Sequence, residues 1–202
     1  MTAEKELFTN KGYCSANTQI SRELLDFVTQ YAFFDEQQNF TPDTGQVIGA
    51  HSRYADPAME VMLLHLKNFM QNSTGLDLYP TYSFYRVYRP GDELKIHKDR
   101  PSCEISCTVC FNYNYDTKND LWPIYMDGTP VYQEPGDAVI YRGCDLDHWR
   151  PVFKGSQAAW QVQGFFHYVD ANGPFANYKY DGRESIGTNK KELPKKSYIT
   201  FL

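Results

Sequence analysis

Residues 79–99, YPTYSFYRVYRPGDELKIHKD, are where the chain changes its periodicity. Before Gly75 apolar residues recur every three or four positions. From Tyr79 they alternate, and Tyr, Phe, Val and Ile dominate, as in strands. Near the end of the stretch His97 and Asp99 are two residues apart. Successive strand side chains point to opposite faces, so these two project together while Ile96 and Lys98 point away. Two groups able to bind a metal then share one side of a sheet.

The alternation continues downstream. Residues 103–114 (CEISCTVCFNYN), 121–126 (LWPIYM), 129–133 (TPVYQ) across an Asp127-Gly128 turn, 137–143 (DAVIYRG), 148–153 (HWRPVF) and 158–169 (AAWQVQGFFHYV) all read as strands. Many short strands in one block predict a mainly β jelly roll or barrel with flanking helices. Upstream, Ile20, Leu24, Phe27, Val28 and Tyr31 predict an amphipathic helix over 19–31. A second helix is better marked. Asp56 caps it, Pro57 takes its first position, Met59, Met62, Leu63, Leu66, Phe69 and Met70 form the stripe, and Gly75 stops it. From Asp170 the chain turns polar. The expectation is one domain over 1–202: supporting helices in 1–75, the β core in 76–169, and in 170–202 a tail wrapped on the barrel or partly mobile.

With 202 residues, 42% of them hydrophobic, the chain is long enough for a proper core. A net charge of -5 argues against a general affinity for phosphate backbones, so nucleic acid is not an expected partner. The first residues lack an apolar signal core and no run reaches the ~18 apolar residues that cross a bilayer, so no membrane contact is expected. Five cysteines, an odd number, fit thiols in a reducing compartment, and a cytoplasmic location is expected.

Non-haem Fe(II) oxygenases hold iron with two histidines and one carboxylate and leave the other positions open. A second histidine, His148, follows the turn Glu134-Pro135-Gly136-Asp137, about fifty residues after Asp99, and in a rolled sheet a late strand can lie beside an early one. The run YRVYRPGDELKIHKD, then EPGDAVIYRGCDLDHWRPVFKG, then a closing strand resembles the Fe(II)/2-oxoglutarate-dependent dioxygenases, most of all the prolyl-4-hydroxylase type, over residues 76–169. The resemblance implies a double-stranded β-helix in which His97, Asp99 and His148 bind iron and Tyr88 contacts 2-oxoglutarate. It implies a hydroxylase that consumes O₂ and 2-oxoglutarate, releases succinate and CO₂, and oxidises a C–H bond. The acceptor stays open between a protein side chain and a small polar molecule.

One position departs from the family. An arginine or lysine on the closing strand normally pairs with the far carboxylate of 2-oxoglutarate, and here Gln157 holds that slot. An amide lacks the charge-assisted, bidentate geometry, and a carboxylate in a dry pocket needs a cation. Strand parity offers two substitutes: Arg150, two residues after His148, as first choice, and Arg86, two before Tyr88. Parity also puts Glu104, Ser106, Thr108 and Cys110 on one face, and Gln157, Gln161 and Gln163 on another, which predicts a polar cavity. The polar segment 114–120 (NYDTKND) is a candidate lid.

Two other readings stay open. Without the usual cation, the barrel is also compatible with a cupin-like binding module without turnover. The spacing of Cys103, Cys107 and Cys110 matches the CxxxCxxC pattern with which radical S-adenosylmethionine enzymes hold a [4Fe–4S] cluster. Alternation argues against it by setting Cys103 and Cys107 opposite Cys110, and ordinary sheet packing competes. His51 and His65 have no partner pattern, His167 reads as a packed histidine, and the lysines from Lys190 to Lys196 read as a solvated tail.

Overall fold

The alternating residues build two antiparallel sheets. The computed structural model describes residues 2–117 and 121–188. In chain order the elements are α1 (Ala3–Lys11), β1 (Tyr13–Asn17), α2 (Arg22–Gln38), β2 (His51–Tyr54), α3 (Pro57–Thr74), β3 (Leu78–Tyr88), β4 (Leu94–His97), β5 (Ile105–Asn114), β6 (Ile124–Met126), β7 (Thr129–Val131), β8 (Asp137–Arg142), β9 (His148–Arg150) and β10 (Trp160–Asp170). A six-stranded sheet has the order β1-β8-β5-β10-β3-β2, and a four-stranded sheet has the order β4-β9-β6-β7. This is the jelly roll, a double-stranded β-helix. All eight strands expected after Gly75 are present. The short strands β1 and β2 and helix α1 were not expected, since each is brief and largely polar.

Helix α3 forms as its sequence signals require. The Asp56 carboxylate accepts from the N–H groups of Ala58 and Met59, and Gly75 closes the helix in the left-handed region at φ 76°. Met59, Met62, Leu63, Leu66 and Met70 are buried beneath it. Helix α2 runs two turns beyond the expected end and is rotated from the expected face. Leu25, Val28, Ala32 and Asp35 are buried, whereas Leu24 and Phe27 are exposed.

The six-stranded sheet has two unlike faces. Tyr85, Val87, Cys107, Val109, Ile140, Phe166 and Tyr168 meet the apolar sides of the helices in the main core. The alternate positions, among them Arg86, Ser106, Thr108, Gln163 and His167, are buried between the two sheets. The described part of the tail, 171–188, is tied to the body of the protein by two acid–base contacts, one beside the barrel and one on helix α3. Asp181 accepts from Arg100 and from the Ser102 hydroxyl, and Arg183 pairs with Glu60 at 2.8 Å. The lysines from Lys190 to Lys196 lie outside the described residues, as do positions 118–120 of the candidate lid. No helix among the described residues is long and apolar enough to cross a membrane.

Candidate metal centre

Strands β4 and β9 are antiparallel neighbours, and their register sets His97 directly opposite His148. The two rings lie 4.2 Å apart, centroid to centroid. Asp99 stands just past the end of β4, so strand alternation is not what orients it. Its backbone N–H donates to the Gly143 carbonyl at 2.8 Å, which brings the carboxylate back toward both histidines. Asp99 Oδ1 is 3.6 Å from Nε2 of His97 and 3.6 Å from Nε2 of His148. The donor atoms of the three residues all lie within 4.8 Å of one another.

Each donor is held by a second contact. The Nδ1–H of His97 donates to the Lys95 carbonyl at 2.8 Å, and that of His148 to the Leu146 carbonyl at 3.0 Å. Both tautomers then carry their lone pair on Nε2, facing the common point. The Ser106 hydroxyl donates to Asp99 Oδ2 at 3.1 Å and leaves Oδ1 turned to the histidines. Burial lowers the pKa of His97, helped by the neighbouring His148, which favours the neutral form that a metal needs. For Asp99, burial acts to raise the pKa, but hydrogen bonding and charge from His148, with His167 and His97, outweigh it and keep the carboxyl below its ordinary range. Two imidazoles with Nε2 turned inward and one carboxylate on one side of a point form the donor set of a facial triad, so the residues fit a ferrous ion.

Gly143 is the site residue that sequence reading missed. A Cβ there would overlap the Cys103 carbonyl oxygen and the Asp99 carboxylate, so only glycine allows the chain to pass this close. No local signal distinguishes it from any other glycine at a strand end.

The triad opens into a cavity of about 430 Å³. Its walls carry Tyr54, Tyr82, Phe84, Tyr141 and Phe165, with Lys98 and Arg100 also in the lining. The cavity is therefore more aromatic than the expected polar lining. The inward amides are real but lie behind the wall in a closed network. Tyr115 donates to Gln161 (2.5 Å), Gln161 to Gln163 (2.6 Å), and Gln163 to Thr108 (2.6 Å) and to Gln133 (3.2 Å). Gln157 is exposed on the turn before β10 and does not enter the cavity, because the strand begins three residues later than the slot. Glu104 caps the backbone of Asp170 instead of facing the metal point.

Both substitute arginines are buried, each 1% exposed, as parity required. They differ in depth. Arg150 pairs with Leu94 in register, farther from the metal point than His148, and its guanidinium donates to the Trp122 carbonyl and to Gln133 Oε1, both at 2.9 Å. It does not line the cavity. Arg86 does, with its Nη1 donating to the Tyr88 hydroxyl at 2.9 Å and its Nη2 to the Asp43 carboxylate. Each arginine keeps an Nε–H with no partner among the described residues.

His167 is a packed histidine that also lines the cavity. Its Nδ1 is 2.9 Å from the Ser106 hydroxyl, and burial pushes its pKa down to about 4. The three clustered cysteines do not converge. Cys107 sits in the core under the helices, Cys110 is buried on the other face of β5, and Cys103 belongs to a 3₁₀ turn before the strand and lines the cavity. Cys103 thus departs from the face expected of it. Burial raises all three thiols, Cys110 to about 12, so they are not the thiolates that a cluster requires.

No protein-family model and no curated protein matches the sequence. Solved structures do match. A prolyl-4-hydroxylase from Pseudomonas putida aligns with a TM-score of 0.61 at 16% identity, over 82% of this chain and 97% of that one. The chain shares its fold. SnoK, a non-haem α-ketoglutarate-dependent carbocyclase of nogalamycin biosynthesis, aligns at 0.65 with 14% identity over 85% of each chain. EctD from S. alaskensis, with bound Fe, aligns at 0.63 with 14% identity over 85% of this chain and 77% of that one. The resemblance read from the motifs thus holds at the level of the fold.

Proposed function

We propose that the chain is a non-haem Fe(II) oxygenase driven by 2-oxoglutarate that hydroxylates a C–H bond of a protein side chain or a small polar molecule in the cytoplasm. One observation carries this reading. The three metal donors open into the same cavity as a fully buried arginine, Arg86, whose guanidinium already holds a carboxylate, that of Asp43. His97, Asp99 and His148 would hold the iron, which with 2-oxoglutarate supplies the activation of O₂ for C–H oxidation.

The protein's own part is binding and orientation. Arg86 offers the far carboxylate of the acid a charge-assisted contact, and the Tyr88 hydroxyl, held by Arg86, adds a second. Behind them Arg150 forms no ion pair with any described residue, so a positive charge stands in the dry interior without an acid of its own. A dianionic cosubstrate is the kind of ligand such an interior favours. The aromatic walls exclude water from the metal point and suit an acceptor with a compact apolar body. Lys98 adds one cation to the cavity rim, while the charge of Arg100 is met by Asp181. The fold likeness to proteins described as binding Fe or depending on α-ketoglutarate supports the same reading.

The test is succinate release from 2-oxoglutarate by protein loaded with Fe(II) under nitrogen and then exposed to air. Succinate that depends on Fe(II), and 2-oxoglutarate binding to the Mn(II)-loaded protein by calorimetry, are expected. Binding without succinate in the presence of every acceptor class would leave a cupin-like binding module. Failure to retain any transition metal would end the proposal.

A further inference from the structure

The cavity is not open to a second carboxylate as it stands. The segment between α2 and β2 folds over it and puts two side chains on the groups that ligands would use. Asp43 occupies the cavity arginine, and the Gln46 amide donates to Nε2 of His97 at 2.9 Å, on the lone pair that faces the metal point. A third side chain, Val47, is buried with Leu94, Tyr88 and Phe165. We infer that segment 43–47 is a built-in plug in which Asp43 stands in for the cosubstrate's far carboxylate, and that cosubstrate and metal bind by displacing it. This rests on the reading of the cavity given above.

The segment is constructed to move as one piece. Its hydrogen bonds are mostly internal. The Asp43 carboxylate accepts from the backbone of Gly45 at 2.7 Å and of Gln46 at 3.2 Å, the Gly49 N–H donates to the Asp43 carbonyl, and the Asp43 N–H to that of Ala50. Its tip is solvated, with Ile48 73% exposed. Few contacts therefore need to break beyond those of Asp43, Gln46 and Val47, and a hinge at its two ends suffices. The exchange is also balanced in kind. Arg86 is buried and now pairs with Asp43, so an incoming carboxylate can take the place of Asp43 without leaving that ion pair broken. Gln46 likewise yields His97 to a metal. Loading would thus uncover the aromatic cavity for the acceptor only when metal and acid are both in place, an order of binding written into one loop.

Two measurements on the Mn(II)-loaded protein test this. Asp43→Asn removes the competing charge, so it should bind 2-oxoglutarate at least tenfold more tightly by calorimetry. In the unaltered protein, hydroxyl-radical footprinting of Val47, now 2% exposed, should increase when 2-oxoglutarate is added. Equal or weaker binding by Asp43→Asn, or unchanged or lower labelling of Val47 in the unaltered protein when 2-oxoglutarate binds, overturns the plug while leaving the oxygenase reading in place. No 2-oxoglutarate binding by either protein overturns both. Binding by Asp43→Asn alone supports the plug in its strongest form.

Discussion

The two faces of the six-stranded sheet are made from the same strands and do opposite work. On the helix side, β5 and β10 present Cys107, Val109, Phe166 and Tyr168 to an apolar core. On the inner side the same two strands present Ser106, Thr108, Gln161 and Gln163, all buried and hydrogen-bonded in chains. Apolar burial stabilises without regard to direction, whereas a buried polar network gains little net stability and demands good geometry. One face holds the barrel together; the other spends interior volume on orientation. The inner face also carries both buried arginines, and among the described residues only Arg86 is paired with an acid, Asp43.

That division can be broken most severely from the outer side. Phe166→Ala removes a fully buried ring from the main core, and a loss of ~3–5 kcal/mol in urea unfolding is expected. The protein that remains folded should bind Mn(II) as before; a lost metal site at full stability would show that the two faces are not separable. On the inner side, Arg86→Met should lower 2-oxoglutarate affinity about 100-fold, or ~3 kcal/mol, by calorimetry. Metal affinity should stay within a factor of about 3, because the hydrogen bonds of Arg86 go to Tyr88 and Asp43 and not to the triad. Gly143→Ala sharpens the contrast at the edge of the site. The new methyl displaces Asp99, and Mn(II) affinity should fall about tenfold with little change in unfolding free energy. The smallest effect is expected where the tail meets the barrel. Asp181→Asn keeps the side-chain volume but loses the charge opposite Arg100 and one of the two acceptor oxygens used by Arg100, Ser102 and Tyr54. Because the Arg100 side chain is 46% exposed and can turn to water, the cost is held to about 1 kcal/mol in thermal unfolding.

The core strands were readable because each contributes a long enough alternation to register, from LYPTYSFYRVY in β3 to WQVQGFFHYVD in β10. The capped helix over Pro57–Thr74 was readable because every one of its signals is local: an aspartate before a proline, an apolar stripe, and a glycine after it. Helix α2 was misread in phase because Phe27 and Phe34, its large apolar residues, face outward while Ala32 and Asp35 face in. Buried Asp35 is invisible to a hydrophobic period. It is kept inside by Arg53 at 2.8 Å and Tyr85 at 2.5 Å, contacts far along the chain.

The triad was legible for a different reason, since its residue types at their spacing carry a resemblance that no composition could. The cation was not. Parity assigned Arg150 and Arg86 to the interior alike, but a face is a property of one strand, and depth is a property of how two sheets are registered.

Residue order thus sufficed for the periods, caps and turns that make a jelly roll, and for the faces of residues inside the strands but not of Asp99, Cys103, Glu104 and Gln157 just beyond their ends, because the former depend on neighbours a few positions away. The remainder required the chain to close on itself. Asp99 is aimed by Gly143, Arg86 is occupied by Asp43, and Gln46 covers His97, with separations of 43 and 51 residues for the last two. Such contacts are created by the packing of distant segments, so nothing in any one segment announces them.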